Sequence, residues 1–199
     1  MATTNHELLY YIPAGQYGKE GVLALLEQHP EIKFVSLVGI DLAGNDTDEK
    51  IPMSAFFDDY ESFFEGRAVQ TDGSSVVLTN IATLNNARVD MWGDPSVNWF
   101  VDYNYENIDP ATGLPTGTLR IPAFLMHNYR YVDSRSILKR SCDYVKTELL
   151  NLIKEHGLPG MPHVKSDDVV DIIFTSATEL EFWVKTPART VTKKELSVS

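Results

Sequence analysis

One cysteine in 199 residues, Cys142, leaves no partner for an internal disulfide and fits a reducing compartment. Cations are also scarce. Lysine and arginine total 17 against 28 acidic residues, a formal charge of −11, which argues against a nucleic-acid or anionic-membrane surface. No apolar run approaches the roughly 20 residues of a membrane span. The start, Met1-Ala2-Thr3-Thr4-Asn5, lacks the positive charge of a secretory leader. These absences together predict a soluble, cytoplasmic protein. The five histidines, His6, His29, His127, His156 and His163, show neither zinc-finger nor His-Glu-x-x-His spacing, and they support no Ser/His/Asp triad. Gly39-Ile40-Asp41-Leu42-Ala43-Gly44 is accompanied by no Gly-x-x-x-x-Gly-Lys-Ser/Thr loop, so it reads as a hairpin turn and not as a nucleotide switch. A nucleotide would therefore have to be held locally, through a metal ion. No internal repeat or low-complexity tract occurs.

What is present suffices for a core, because 43% of the residues are hydrophobic, enough for one large domain or two small ones. Residues 1–16, with Pro13 and Gly15, show no period and read as a loosely ordered arm. Residues 19–28, with Val22, Leu23, Leu25 and Leu26, predict a short helix ended near Pro30. Residues 32–42 and 49–53 predict a hairpin. Ser54 offers an N-cap to a helix carrying Phe56, Phe57, Tyr60, Phe63 and Phe64 as far as Gly66. Residues 76–78, 87–91, 99–103 and 118–124 read as short strands of one mixed sheet. After Asn128 the texture changes. Asp133 or Ser134 caps a long helix with Leu138, Cys142, Val145, Leu149 and Leu152 or Ile153 at three-to-four spacing, closing with Lys154, His156 and Gly157. A loop through Pro159 and Pro162 then leads to a strand over residues 169–174.

Two stretches point to chemistry. As a strand, residues 176–184 send Glu179, Glu181 and Trp183 to one face and Leu180, Phe182 and Val184 to the other. Two carboxylates roughly 7 Å apart along a strand oppose one another's ionisation unless a cation joins them. Mg²⁺ or Mn²⁺, which take carboxylate, water and nucleotide oxygens, would meet that need. The plainer alternative is an exposed acidic strand face; the apolar residues on either side predict a buried one. The second stretch, Gln70-Thr71-Asp72-Gly73-Ser74-Ser75, places a glycine between an Asp and two serines, in a tight turn that presents hydrogen-bonding groups together.

In order, these features resemble the amino-terminal part of a bacterial-type glutamine synthetase, from about Leu23 to Val184. Residues 33–41 look like the family's first strand, with Gly44 in the following turn and Ile51-Pro52 in the second strand. Asp72-Gly73-Ser74-Ser75 matches a Phe-Asp-Gly-Ser-Ser loop, with Thr71 in place of Phe. Asp90-Met91 followed by Asp94-Pro95 is similar to Asp-Met-x-x-x-Pro, and residues 132–140 resemble Asp-Pro-Arg-x-x-Leu-Lys-Arg, with Ser134 in place of Pro. Glu179-Leu180-Glu181-Phe182 matches the Glu-x-Glu-Phe metal strand. The chain departs from the family at residues 105–116, which look expanded, in the long loop at residues 157–168, and at Ser176-Ala177-Thr178, where Gly-Pro is common.

The resemblance implies an α+β fold with three segments: an arm at residues 1–16, a β-grasp-like domain at 17–131, and the truncated start of a catalytic α/β domain at 132–199. It implies ATP-dependent ligation of ammonia to glutamate through γ-glutamyl phosphate, with Mg²⁺ or Mn²⁺ as cofactor. Glu179 and Glu181 would ligate the two ions of a paired-metal site. Asp72, in the loop of Asp72, Gly73, Ser74 and Ser75, would bind and deprotonate ammonium in the active site of the neighbouring subunit of a homo-oligomeric ring. The family's nucleotide pocket and remaining ligands lie beyond such a segment, so the isolated 199-residue chain is expected to be inactive. Two alternatives stay open: a stand-alone binding or regulatory module of the same fold, and a ligase joining glutamate to another amine.

Overall fold

The computed structural model describes residues 7–78, 84 and 87–182. It divides into two compact units, residues 1–145 and 146–199. The boundary drawn from sequence, at 131/132, lies ahead of the long helix; this division falls within it.

The first unit is α+β. Its eight-stranded sheet runs β1-β6-β7-β2-β3, with β4, β5 and β8 attached through β7. The strands are β1 (Tyr11–Ile12), β2 (Ile32–Ile40), β3 (Asp46–Pro52), β4 (Val69–Asp72), β5 (Arg88–Gly93), β6 (Trp99–Ile108), β7 (Pro115–His127) and β8 (Arg130–Tyr131). All pairings are antiparallel except β2 with β7, which is parallel. β7 is the 13-residue spine. Up to Pro122 it lies between β6 and β2, and from Ala123 onward it pairs with β5 and β8. Proline cannot donate to a ladder, and Pro122 stands where β7 changes neighbours; its carbonyl accepts the Asp94 N–H at 2.8 Å.

Period-two alternation puts Val35 and Leu37 of β2, Val89 and Met91 of β5, and Leu119, Ile121 and Leu125 of β7 on one face, all fully buried. Burial of each such side chain stabilises by about 1.5–3 kcal/mol. Helix α1 (Lys19–Glu27) covers this face with Val22 and Leu26, one turn apart. Helices α2 (Met53–Asp58) and α3 (Tyr60–Phe64) add Phe56 and Phe63, whose rings meet edge to face at 5.0 Å.

Several expectations change here. The single helix expected after Ser54 is two short ones: it starts at Met53 behind Pro52, and the non-helical backbone of Asp59, at φ −140° and ψ 54°, interrupts it. Within residues 1–16, expected to be a loose arm, Tyr11 and Ile12 form β1 of the sheet, and Leu9 and Tyr10 are tied to β6. Tyr11 and Ile12 pair with β6, Tyr10 accepts the Val101 N–H at 2.9 Å, and Tyr103 donates to the Leu9 carbonyl at 3.1 Å. The apolar residues 76–78 form no strand, although Val76 and Leu78 are buried. β4 lies just before them instead.

The long helix expected on these residues is α4 (Ser134–His156), and it begins in the first unit. The Asp133 carboxylate accepts the Ser136 N–H at 2.8 Å, and the helix stops at Gly157, whose φ of +74° suits a left-handed cap. In the second unit Lys146 pairs with Asp171 at 2.8 Å. The strands expected at residues 169–174 and 176–184 are not found: residues 169–182 have no regular structure, and Trp183 and Val184 lie outside the described residues. β-Branched residues favour a strand only where another strand satisfies their backbone groups, and no described segment pairs with this one.

Candidate functional site

β4 ends at Asp72, and the chain turns through a short 3-10 segment, Gly73–Ser75. Two contacts build the turn. The Asp72 carboxylate accepts the Ser74 N–H at 2.7 Å, closing a side-chain-capped turn. Gly73 donates to the Ala87 carbonyl at 2.7 Å and lies so close to its neighbours that a Cβ would sit 2.1 Å from the Leu84 carbonyl oxygen. Gly73 is buried, whereas Asp72, Ser74 and Ser75 face solvent.

A buried acid anchors the loop that follows. Asp41, at the end of β2, accepts from the Ala43, Asn45 and Val77 N–H groups at 2.8–2.9 Å and from the Asn45 side-chain amide at 3.0 Å. Leu42 in turn donates to the Val77 carbonyl at 3.2 Å. Burial acts to raise the Asp41 pKa, yet these hydrogen bonds outweigh it and hold the group below its ordinary value. Sequence reading placed Asp41 in a hairpin turn. Its grip on Val77, far along the chain, had no local signal.

The Asp72 carboxyl also lies below its ordinary value, held there by hydrogen bonding from Ser74, hydroxyl first and backbone second. Such a group is ionised at neutral pH. It can attract a cation, but as a proton acceptor it is weaker than an ordinary aspartate. Ser74→Ala should therefore move the Asp72 titration upward in a carbon-detected NMR pH series. The sign follows from linkage: a folded-state pKa below the unfolded one adds stability above the unfolded value, and that stability is lost as pH falls through the folded pKa. An unmoved Asp72 titration would remove the hydroxyl from this account.

Glu179 and Glu181 belong to the second unit and are exposed in irregular chain. The buried strand face expected for them is not formed. Among the described residues no group of three or more His, Cys, Asp or Glu side chains could hold a metal ion. The other buried acids are each internally partnered. Asp94 accepts from Ser96 and Arg135, Glu31 from His29, with the Tyr103 hydroxyl 3.4 Å away, and Asp109 from Lys33 and Thr112. No helix among the described residues is long and apolar enough to cross a membrane.

No family model matches the chain, and no curated protein matches it. Among solved structures it is similar to a glutamine synthetase of Plasmodium falciparum, with 15% sequence identity and a TM-score of 0.45. The match covers 69% of this chain and 24% of that one, so the chain spans about a quarter of its neighbour's length.

Proposed function

We propose that the chain forms the amino-terminal part of a glutamine synthetase-like ligase and contributes Asp72 to an ammonium site. The carrying observation is the turn itself. Gly73 occupies a place with no room for a side chain, and the Ser74 N–H holds the adjacent carboxylate at 2.7 Å, so the Asp-Gly-Ser-Ser motif is a built feature that presents an oriented negative charge. A fixed carboxylate near an acyl phosphate would concentrate ammonium and take up its proton during attack. The phosphoryl transfer before that step depends on positioning and on metal ions that neutralise phosphate oxygens. In this reading Glu179 and Glu181 join an Mg²⁺ or Mn²⁺ site once ATP, glutamate and the rest of the enzyme surround them. Asp72 serves the next subunit of a ring.

A complementation experiment in the complete enzyme tests the shared site. Subunits carrying Asp72→Ala are mixed with subunits carrying Glu179→Gln, each nearly inactive alone. If Asp72 acts across an interface, some sites in mixed rings combine an intact Asp72 with an intact Glu179, and partial ATP-dependent glutamine formation returns. No recovery in rings shown to be mixed would refute the shared site.

The irregular, exposed setting of Glu179 and Glu181 favours a second reading, in which the chain is a binding module that keeps the turn without the metal strand. Mn²⁺ titration of the complete protein separates the two: the ligase reading requires saturable binding that Glu179→Gln and Glu181→Gln weaken, and the module reading requires none.

A further inference from the structure

A cavity of about 860 Å³ opens at the β7–β8 turn. Leu78, Val132 and Ile137 contribute apolar wall, and Arg130 and Arg140 contribute charge. No carboxylate is among the described lining residues, in a chain whose formal charge is −11. Both Arg140 terminal nitrogens donate to the Tyr131 carbonyl at 3.2 Å, which fixes the guanidinium and leaves three of its five N–H donors without a partner among the described residues. The Arg130 side chain has no hydrogen-bond or ion-pair partner among the described residues.

The turn that carries Arg130 is unusual. Asn128 and Tyr129 both adopt positive φ, +47° and +60°, as in the two-residue turns where the second position favours glycine. A bulky residue there is costly and persists only when its surroundings hold it. His127 holds the first of the two: its Nδ1 lies 2.9 Å from the Arg88 carbonyl and its Nε2 lies 2.9 Å from the Asn128 side-chain amide, so Nδ1 donates and Nε2 accepts. Tyr129 is left 97% exposed at the rim.

We propose that this cavity binds a small aryl phosphomonoester. Two guanidinium groups match the charge of about −1.5 to −2 on a phosphomonoester at neutral pH, and their fork geometry suits its oxygens. The apolar wall and the Tyr129 and Tyr131 rings accept the aromatic body. The volume falls within the range of small-molecule sites. This site shares no residue with the Asp72 turn and stands or falls apart from the ligase reading.

Phenyl phosphate is the probe, followed by amide chemical shifts, with phenol and inorganic phosphate as comparators. The expected result is saturable binding with a Kd on the order of 1 mM for so small a ligand, shifts centred on residues 129–132, and binding of both comparators at least about tenfold weaker. Arg130→Gln and Arg140→Gln should each raise the Kd about tenfold, a change of the size expected for losing one charge-assisted hydrogen-bonding group. Near-ultraviolet circular dichroism identifies any variant that has lost its fold, and Arg130→Gln, at an exposed turn, then carries the test. Binding that is equal for wild type and variants, that is matched by inorganic phosphate, or that is absent at saturating concentrations would overturn the proposal.

Discussion

Replacing Gly73 with alanine is expected to destabilise the first unit by about 3 kcal/mol, towards the upper end of the usual cost of inserting a methyl group into a packed site. The added Cβ would meet the Leu84 carbonyl oxygen at 2.1 Å and the Ala87 carbonyl oxygen at 2.9 Å. Both are backbone atoms, which cannot turn aside as a flexible side chain would. Relief requires β4 and the start of β5 to separate, which strains the 2.7 Å hydrogen bond from Gly73 to Ala87. For a unit of this size the melting temperature should fall by roughly 6–12 °C. Gly44→Ala is the comparison. Gly44 has a φ of +84° but nothing within 4 Å of the added carbon, so it should lose only the 1–2 kcal/mol of a left-handed backbone. Equal losses in the two variants would show that crowding at Gly73 is not what fixes the turn.

Asp41→Ala should cost about 3–5 kcal/mol, because three backbone N–H groups and the Asn45 amide lose their acceptor together and each orphaned donor costs about 1–3 kcal/mol where water does not replace the bond. Asp41→Asn should lose less. Its remaining oxygen can serve Ala43 and Asn45, while its amide nitrogen cannot accept from Val77. The pH dependence follows from the lowered Asp41 pKa. A carboxylate whose pKa falls on folding stabilises above its unfolded value, near 3.8, and that contribution disappears as pH falls through the folded value. Wild-type stability should therefore drop more steeply below about pH 4 than that of Asp41→Ala. Chemical denaturation at a series of pH values measures both effects. Parallel wild-type and variant curves would remove Asp41 as a source of acid sensitivity.

Periodic elements were legible in the sequence because their own residues determine them. The α1 stripe, the apolar alternation of β2 and β7, and the Asp133 cap of α4 are of this kind. β4 was not legible. Val69-Gln70-Thr71-Asp72 carries little strand propensity, and it becomes a strand because β5 offers a register from Val69 opposite Met91 to Asp72 opposite Arg88. The reverse holds for residues 169–174, where a strong local preference meets no partner. At the candidate site, the tightness of the turn at Gly73 and its exposed Asp and Ser groups were readable from residue types. The buried acceptor role of Asp41 was not, because it depends on a distant loop. The β7–β8 turn was missed for a related reason: Asn128-Tyr129 lacks the glycine by which such turns are recognised.

The parallel seam between β2 and β7 bears on how quickly the chain can reach this structure. β3 can fold back on β2 as soon as both exist, and β6 with β7 likewise closes locally. The seam that joins these hairpins pairs Val35 with Leu119, so most of the first unit must be synthesised before it can form. Closing so long a loop adds entropy cost before any contact offsets it, and non-local pairing of this kind slows folding. Until β7 arrives, one edge of β2 stands open with Val35 and Leu37 uncovered. The nascent chain is thus most exposed to sticking to its neighbours in the interval between those two strands.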